Sequence, residues 1–301
     1  MKRQTVLILG VTGMFGHVLF KESLNSDHLD VHGTVRSVSK PKQFFTAGEL
    51  QAIHTGIDAF NLKSIQELLD SIKPDIVINC IGVIKQLPEA EDPLTAIAIN
   101  SLFPHQLEQL TENIGARIIH ISTDCIFNGK KGNYTEQDIS NAEDLYGRTK
   151  YLGELYRSNS LTLRTSIIGH ELHSHISLVD WFLDQSNTVN GYTKAIYSGV
   201  TTLELSNIIL EYIIQNRELQ GVYHISSKPI SKYDLLKIVT ETYDKNIQIK
   251  AYEDFMIDRS LDSTKFRQVS GYIAPSWNIM IKSMYDHFVK SEFYNKKYLN
   301  V

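Results

Sequence analysis

Short apolar runs alternate with amphipathic stretches through the first half of the chain. Residues 5–9, 31–35, 52–57, 75–79 and 117–122 read as strands, and residues 15–24, 62–72, 95–113 and 142–156 as helices, the third of these interrupted by Pro104. Val6 to Leu9 and Ile76 to Ile78 are continuously apolar rather than alternating, as expected of strands covered by helices on both faces of a parallel sheet. Strand and helix in repeated succession make a βαβ series, and right-handed crossovers then give an α/β fold with a doubly wound parallel sheet. Residues 161–165 supply a sixth strand. Beyond them the alternation weakens, with a helix near 203–215 and a strand at 222–226 that look like a return to the main sheet. The expected division is a large domain of residues 1–165 plus roughly 203–226, and a smaller, discontinuous C-terminal domain of roughly 166–202 and 227–290. The lysine-containing tail 290–301 reads as a solvated end.

Composition narrows the possibilities. With 301 residues, 42% of them hydrophobic, the chain can bury a sizeable core. Its 30 basic and 34 acidic residues are interspersed, net charge −4, so there is no basic footprint of the kind nucleic-acid binding requires. No apolar run reaches the roughly 20 residues that span a bilayer, and the reading is a cytoplasmic protein without a membrane partner. Cys80 and Cys125 are far apart and form neither a CxxC pair nor a disulfide framework, which suits a reducing compartment.

The first strand runs directly into Gly10-Val11-Thr12-Gly13-Met14-Phe15-Gly16, and a helical pattern follows. Glycines at such a turn admit positive φ and let backbone approach a pyrophosphate, whose charge is met by free N–H groups and the positive end of the helix dipole. The turn therefore marks a dinucleotide-binding, Rossmann-type domain. Its GxxGxxG spacing, in place of GxGxxG, resembles the short-chain dehydrogenase/reductase superfamily. At the end of the second strand, where a carboxylate would hold the ribose 2′-hydroxyl of NAD, the chain reads Gly33-Thr34-Val35-Arg36-Ser37. Arg36 suits a 2′-phosphate instead, making NADPH the preferred cofactor, with NADH as the alternative. By position, Asp58 faces the adenine, and Cys80, Ile81 and Gly82 lie beside the nicotinamide ribose.

Tyr146-Gly147-Arg148-Thr149-Lys150 sets a phenol and an ammonium four residues apart, on one face of a helix. A carbonyl being reduced needs a proton as hydride arrives, and the sequence reading has Lys150 stabilising the phenolate of Tyr146 and holding the ribose hydroxyls. Upstream, His120-Ile121-Ser122-Thr123-Asp124 closes the fifth strand, whose carboxyl end faces the cofactor crevice.

With these motifs in order, the chain resembles the extended short-chain dehydrogenase/reductase family and, within it, the dTDP-4-dehydrorhamnose reductase branch. GVTGMFG at 10–16, ISTDCIFNG at 121–129, YGRTK at 146–150, LRTS at 163–166, GVYHIS at 221–226 and RSLDSTKF at 259–266 carry the likeness. The resemblance implies Thr123, Tyr146 and Lys150 as a catalytic triad, Asp124 as a contributor to proton handling, and Asn100 as the asparagine that positions the lysine through water. It also implies reduction of the 4-keto group of a nucleotide-linked 4-keto-6-deoxy sugar, dTDP-linked or a UDP-linked N-acetylated analogue, in polysaccharide sugar biosynthesis. The smaller domain is then the substrate-binding one, where Trp181 and Arg259 stack on or pair with the nucleoside diphosphate. Cys125 and Ile167 stand where the family usually has aromatics, so the sugar is left open.

Two other readings compete. An epimerase or dehydratase that keeps its NAD calls for an acid at the end of the second strand; a regulatory subunit like that of methionine adenosyltransferase would bind without turnover. His170-Glu171-Leu172-His173-Ser174-His175 lacks the HExxH spacing of a zinc site, so no metal is expected and the segment reads as a polar loop at the mouth of the substrate cleft. Ser122 has no GxSxG elbow around it. The sequence leaves the oligomeric state open, a homodimer among the options.

Overall fold

The computed structural model describes residues 3–37 and 39–291. Seven strands form one parallel sheet: β1 (Gln4–Leu9), β2 (Leu29–Val35), β3 (Ile53–Thr55), β4 (Ile76–Asn79), β5 (Arg117–Thr123), β6 (Ser160–Thr165) and, later in the chain, Gly221–His224. The spatial order runs Gly221–His224, β6, β5, β4, β1, β2, β3. Successive strands therefore wind outward in both directions from the β1–β4 boundary, which opens a crevice at the carboxyl ends of those two strands.

The continuous apolar runs are explained by two separate cores. Val6, Ile8, Ile76 and Ile78 face one side, with Phe20, Leu205, Ile208 and Ile209; Leu7, Leu9 and Val77 face the other, with Ile65, Leu69, Phe103 and Leu107. Helices Gly16–Leu24 and Leu62–Ile72 lie close to the expected limits, the latter capped by Asn61, whose side chain accepts from the Ser64 N–H at 3.3 Å. The long helix expected over 95–113 begins earlier and is broken differently. Pro93–Ile97 and Phe103–Asn113 are α-helical, and a π turn at Ala98–Leu102 joins them. The wider turn frees the backbone where Pro104, lacking an N–H, enters the next segment.

Past β6, strands β7 (Ile167–Ile168), β8 (Val189–Tyr197) and β9 (Val200–Thr201) precede helix Thr202–Ile208, and the main-sheet strand Gly221–His224 is β10 in chain order. β11 (Ile230–Ser231) and β12 (Ile249–Asp258) flank β8, antiparallel and parallel respectively. Helices Leu178–Leu183, Lys232–Thr242, Thr264–Ser270 and Trp277–Lys290 complete this part, and Val189, Leu235, Leu236, Trp277 and Met280 join the same apolar cluster as Val6 and Ile8. Of the tail expected at 290–301, the part beyond Ser291 lies outside the described residues. Among the described residues, no helix is long and apolar enough to cross a membrane.

One segment departs from expectation. His170 and Glu171 are buried rather than part of an open polar loop. His170 Nδ1 lies 2.5 Å from Asp180 Oδ1 and Nε2 lies 2.7 Å from the Tyr243 hydroxyl, while Glu171 Oε2 accepts from the Ile176 and Ser177 N–H groups. The first two residues form a packed polar node, since buried polar groups must find partners, while the rest of the segment is an irregular loop with His173 exposed.

Candidate active site

The glycine turn is shaped by contacts that no side chain could share. Gly10 has φ +84°, and a Cβ at Gly16 would lie 2.3 Å from the Gly10 carbonyl oxygen, so the helix starts directly against the end of β1. The Gly13 N–H donates to the Gly10 carbonyl at 3.1 Å, and Thr34 ties the turn to β2 by accepting from the Gly10 N–H at 3.3 Å and the Val11 N–H at 3.0 Å. Gly13 is exposed, Thr12 and Met14 are half-buried, and Phe15 puts its side chain in the core, leaving only its backbone for a ligand. Beneath the turn sits His17, which the sequence reading missed. Its Nδ1 bonds the Gly13 carbonyl at 2.8 Å, and burial lowers its pKa to about 3, so the ring stays neutral.

Around this turn the remaining positions fall into two groups. Arg36 is exposed and Ser37 half-buried just past β2, in a stretch with no carboxylate; Asp58 spends Oδ1 on the Phe60 N–H at 3.0 Å, closing its own loop. Cys80, Ile81 and Gly82 leave β4 against the turn: a Cβ on Gly10 would sit 3.0 Å from Ile81 Cγ1. A Cβ on Gly82 would sit 3.4 Å from Asn100 Oδ1 and 3.8 Å from Lys150 Nζ, so bare backbone separates the turn from the lysine. Asn100, in the π turn, clamps Val83 through two bonds of 2.9 and 3.1 Å and reaches the Thr149 hydroxyl at 3.5 Å. It thus holds the residue next to Lys150.

Helix Leu145–Leu152 carries both Tyr146 and Lys150. Asp144 caps it, accepting from the Gly147 N–H at 2.8 Å, and at Gly147 a Cβ would meet the Cys125 carbonyl at 2.2 Å, so the helix is pressed onto the turn after β5. Lys150 Nζ is buried and donates to the Ile121 carbonyl at 2.7 Å; burial lowers its pKa to about 8, against the raising influence of Glu154. Thr123 ends β5. Its hydroxyl donates to Asp124 Oδ1 at 3.2 Å and accepts from the Cys125 N–H at 3.1 Å, and it lies close enough to the Tyr146 phenol to influence it. Burial raises the phenol above its ordinary value, with Thr123 acting the other way. The sequence reading had Lys150 lowering that phenol; instead the ammonium is engaged with β5 and desolvation governs the tyrosine.

Asp124 is buried with a raised pKa, burial outweighing the nearby Arg259 guanidinium, the hydrogen bond from Thr123 and the polar neighbours Cys125 and Ser166. Arg259 Nε donates to the Phe127 carbonyl at 2.8 Å, which fixes its charge beside the carboxyl. Cys125, pushed up to about 12 by burial, is a neutral thiol. Trp181 is 39% exposed on helix Leu178–Leu183, and none of the described contacts ties it to Thr123, Tyr146 or Lys150. Behind the site lies a buried ion pair that the sequence reading also missed. Glu154 accepts from Ser122 Oγ at 2.8 Å, Arg164 Nε at 2.8 Å and Arg164 Nη2 at 2.7 Å, and Arg164 Nη1 meets His224 Nε2 at 3.3 Å. The LRTS and GVYHIS motifs thus serve to lock the Tyr146 segment to β5, β6 and β10. Among the described residues, no three His, Cys, Asp or Glu side chains gather as a metal site would need.

The chain is similar to several known proteins. Over 257 residues the chain is 24% identical to the dTDP-4-dehydrorhamnose reductase of Aggregatibacter actinomycetemcomitans, covering 76% of this chain and 86% of that protein. It is 25% identical over 254 residues to methionine adenosyltransferase 2 subunit beta of Danio rerio, covering 79% and 74% respectively. In structure it matches a dTDP-4-dehydrorhamnose reductase from Bacillus anthracis, solved in complex with NADP, with a TM-score of 0.78 at 20% identity, covering 95% of this chain and all of the other. The model of the RmlD substrate binding domain matches residues 4–290. Matched over nearly its whole length by that model, and carrying the motifs in their expected strand-end and helix positions, the chain belongs to the RmlD substrate binding domain family.

Proposed function

We propose that this protein is an NADPH-dependent reductase of the 4-keto group of a nucleotide-linked 4-keto-6-deoxy sugar, with Thr123, Tyr146 and Lys150 as its catalytic residues. The observation that carries the reading is their assembly at the carboxyl ends of β4 and β5, where bare backbone at Gly82 joins Lys150 and Asn100 to the glycine turn. We assign the cofactor portion to residues 1–165 and roughly 203–226, and the substrate portion to roughly 166–202 and 227–290.

The residues present fit a dinucleotide. Gly13 is exposed, Gly16 lets the following helix start directly against Gly10, and that helix directs its first N–H groups toward this end. Thr12, Gly13 and Met14 would hold the pyrophosphate, Arg36 and Ser37 a 2′-phosphate, Asp58 the adenine, and Cys80 to Gly82 with Lys150 the nicotinamide ribose. When bound there, a reduced nicotinamide supplies hydride to the sugar carbonyl carbon. The protein's part is to supply the proton and place the carbonyl. Tyr146, kept protonated by burial, donates its phenolic proton to the oxygen as the C=O becomes C–OH, and Thr123 donates a hydrogen bond to the same oxygen. The phenolate left behind takes its next proton from solvent. Two neutral thiols and demand for a reduced nicotinamide suit the cytoplasm.

The test is oxidation of NADPH, followed beside NADH, with a panel of dTDP-, UDP- and GDP-linked 4-keto sugars. Net oxidation with one of them is expected, and Tyr146→Phe should lower turnover by about 10² or more while cofactor affinity stays nearly constant. Cofactor binding without turnover on any sugar would turn the reading to a regulatory subunit, the kind of protein the Danio rerio relative is named for.

A further inference from the structure

Tyr197 closes β8 and takes no part in the chemistry described above. Among the described residues, four buried side-chain polar atoms lack a hydrogen-bond partner, on Glu108, His120, Asn159 and Tyr197. The first three have a second polar atom that is engaged, with Arg157, Asn79 and Ala116 respectively. Tyr197 has only its hydroxyl, so it alone is wholly unpartnered.

The ring has little freedom to correct this. Tyr197 pairs with Ile230 across β8 and β11, and its ring packs on Trp277 with centroids 5.3 Å apart. A Cβ on Gly199 would lie 2.8 Å from Tyr197 Cε2 and 2.0 Å from the Ser166 carbonyl, so the ring is wedged over a glycine beside Ser166. Ser166 follows Thr165, which pairs with Thr123 across the ends of β5 and β6, and after burial the Asp124 charge is what raises the Tyr197 phenol. An orphaned hydroxyl thus lies covered near the Thr123–Asp124 site, where a ligand that shifts its cover would reach it. An unpaired buried hydroxyl costs folded-state stability, and a phenylalanine of the same shape would avoid that cost. Its retention points to a partner that arrives with the ligand.

We propose that the Tyr197 hydroxyl is a specificity-determining contact for the sugar, donating a hydrogen bond to an oxygen of the hexose or of its acylamino substituent held beside Asp124. This rests on the reductase reading. Tyr197→Phe removes only the oxygen, and a double signature is expected. The thermal midpoint stays level or rises, because an unsatisfied group is gone. KM for the active 4-keto sugar nucleotide rises about tenfold or more, while KM for NADPH and kcat stay within about threefold. An unchanged sugar KM overturns the proposal, and so does a lower thermal midpoint with sugar KM unmoved, which would make Tyr197 structural only. Failure of wild-type protein to turn over any sugar of the panel overturns the reductase reading itself and this proposal with it, whereas an active wild type with an unaltered variant sinks this proposal alone.

Discussion

At the scale of single residues, the site is governed by desolvation more than by pairing. Lys150 is deeply buried, and its value of about 8 places its loss of charge within the working range of pH. If the ammonium holds the ribose hydroxyls, kcat/KM should be level below that value and fall as pH rises through about 8. A guanidinium keeps its charge throughout, so Lys150→Arg should lower the absolute rate yet carry the alkaline limb at least one pH unit higher. A wild-type profile flat to high pH, or a limb that stays in place in the variant, would remove Lys150 as its source. The YxxxK spacing was legible in the sequence because four residues make one helical turn. The environment of each group was not, because burial depends on what β5 and β12 bring over it.

At the scale of elements, close backbone contacts position the catalytic helix. A Cβ on Gly153 would fall 1.9 Å from the Asn100 carbonyl oxygen, so the end of helix Leu145–Leu152 rests directly on the π turn that holds Asn100 against Val83. Gly153→Ala should therefore force backbone apart and cost about 1–3 kcal/mol or more, the range for overpacking a well-filled interior. Gly48→Ala is the control, since nothing lies within 4 Å of its Cβ position and its helix should if anything gain up to about 1 kcal/mol. Urea unfolding of the two variants measures the difference, and equal midpoints would refute the contact. The sequence showed the helix and Pro104, but the π turn depends on how Pro93–Ile97 and Phe103–Asn113 pack, which no local pattern encodes.

Across the whole molecule, neutral buried histidines link stability to pH. Burial lowers both His17 and His224 to about 3; the first bonds the Gly13 carbonyl and the second accepts from Arg164. The unfolded chain binds protons near pH 6.5 that the folded chain refuses until far lower, so this stability is full above 6.5 and lost as pH falls. At pH 5 each imidazole should have cost about 2 kcal/mol, at 1.36 kcal/mol per unit of separation. Denaturation midpoints at pH 7.5 and 5 should reveal the loss, and His224→Gln should diminish it by about a third, because the buried His120 is lowered by desolvation in the same way. A stability independent of pH across that interval would contradict the assignment.

The chain's own pattern determined the parallel sheet, the glycine turn and the order of Thr123, Tyr146 and Lys150, because hydrophobic periodicity, turn chemistry and helical spacing are local properties. Tertiary structure alone decided that His170 and Glu171 are buried, that Glu154 and Arg164 pair behind the site, and that Tyr197 is stranded beside Asp124. Those facts depend on which distant segments exclude water from which side chain, and solvent exclusion is a property of the packed molecule.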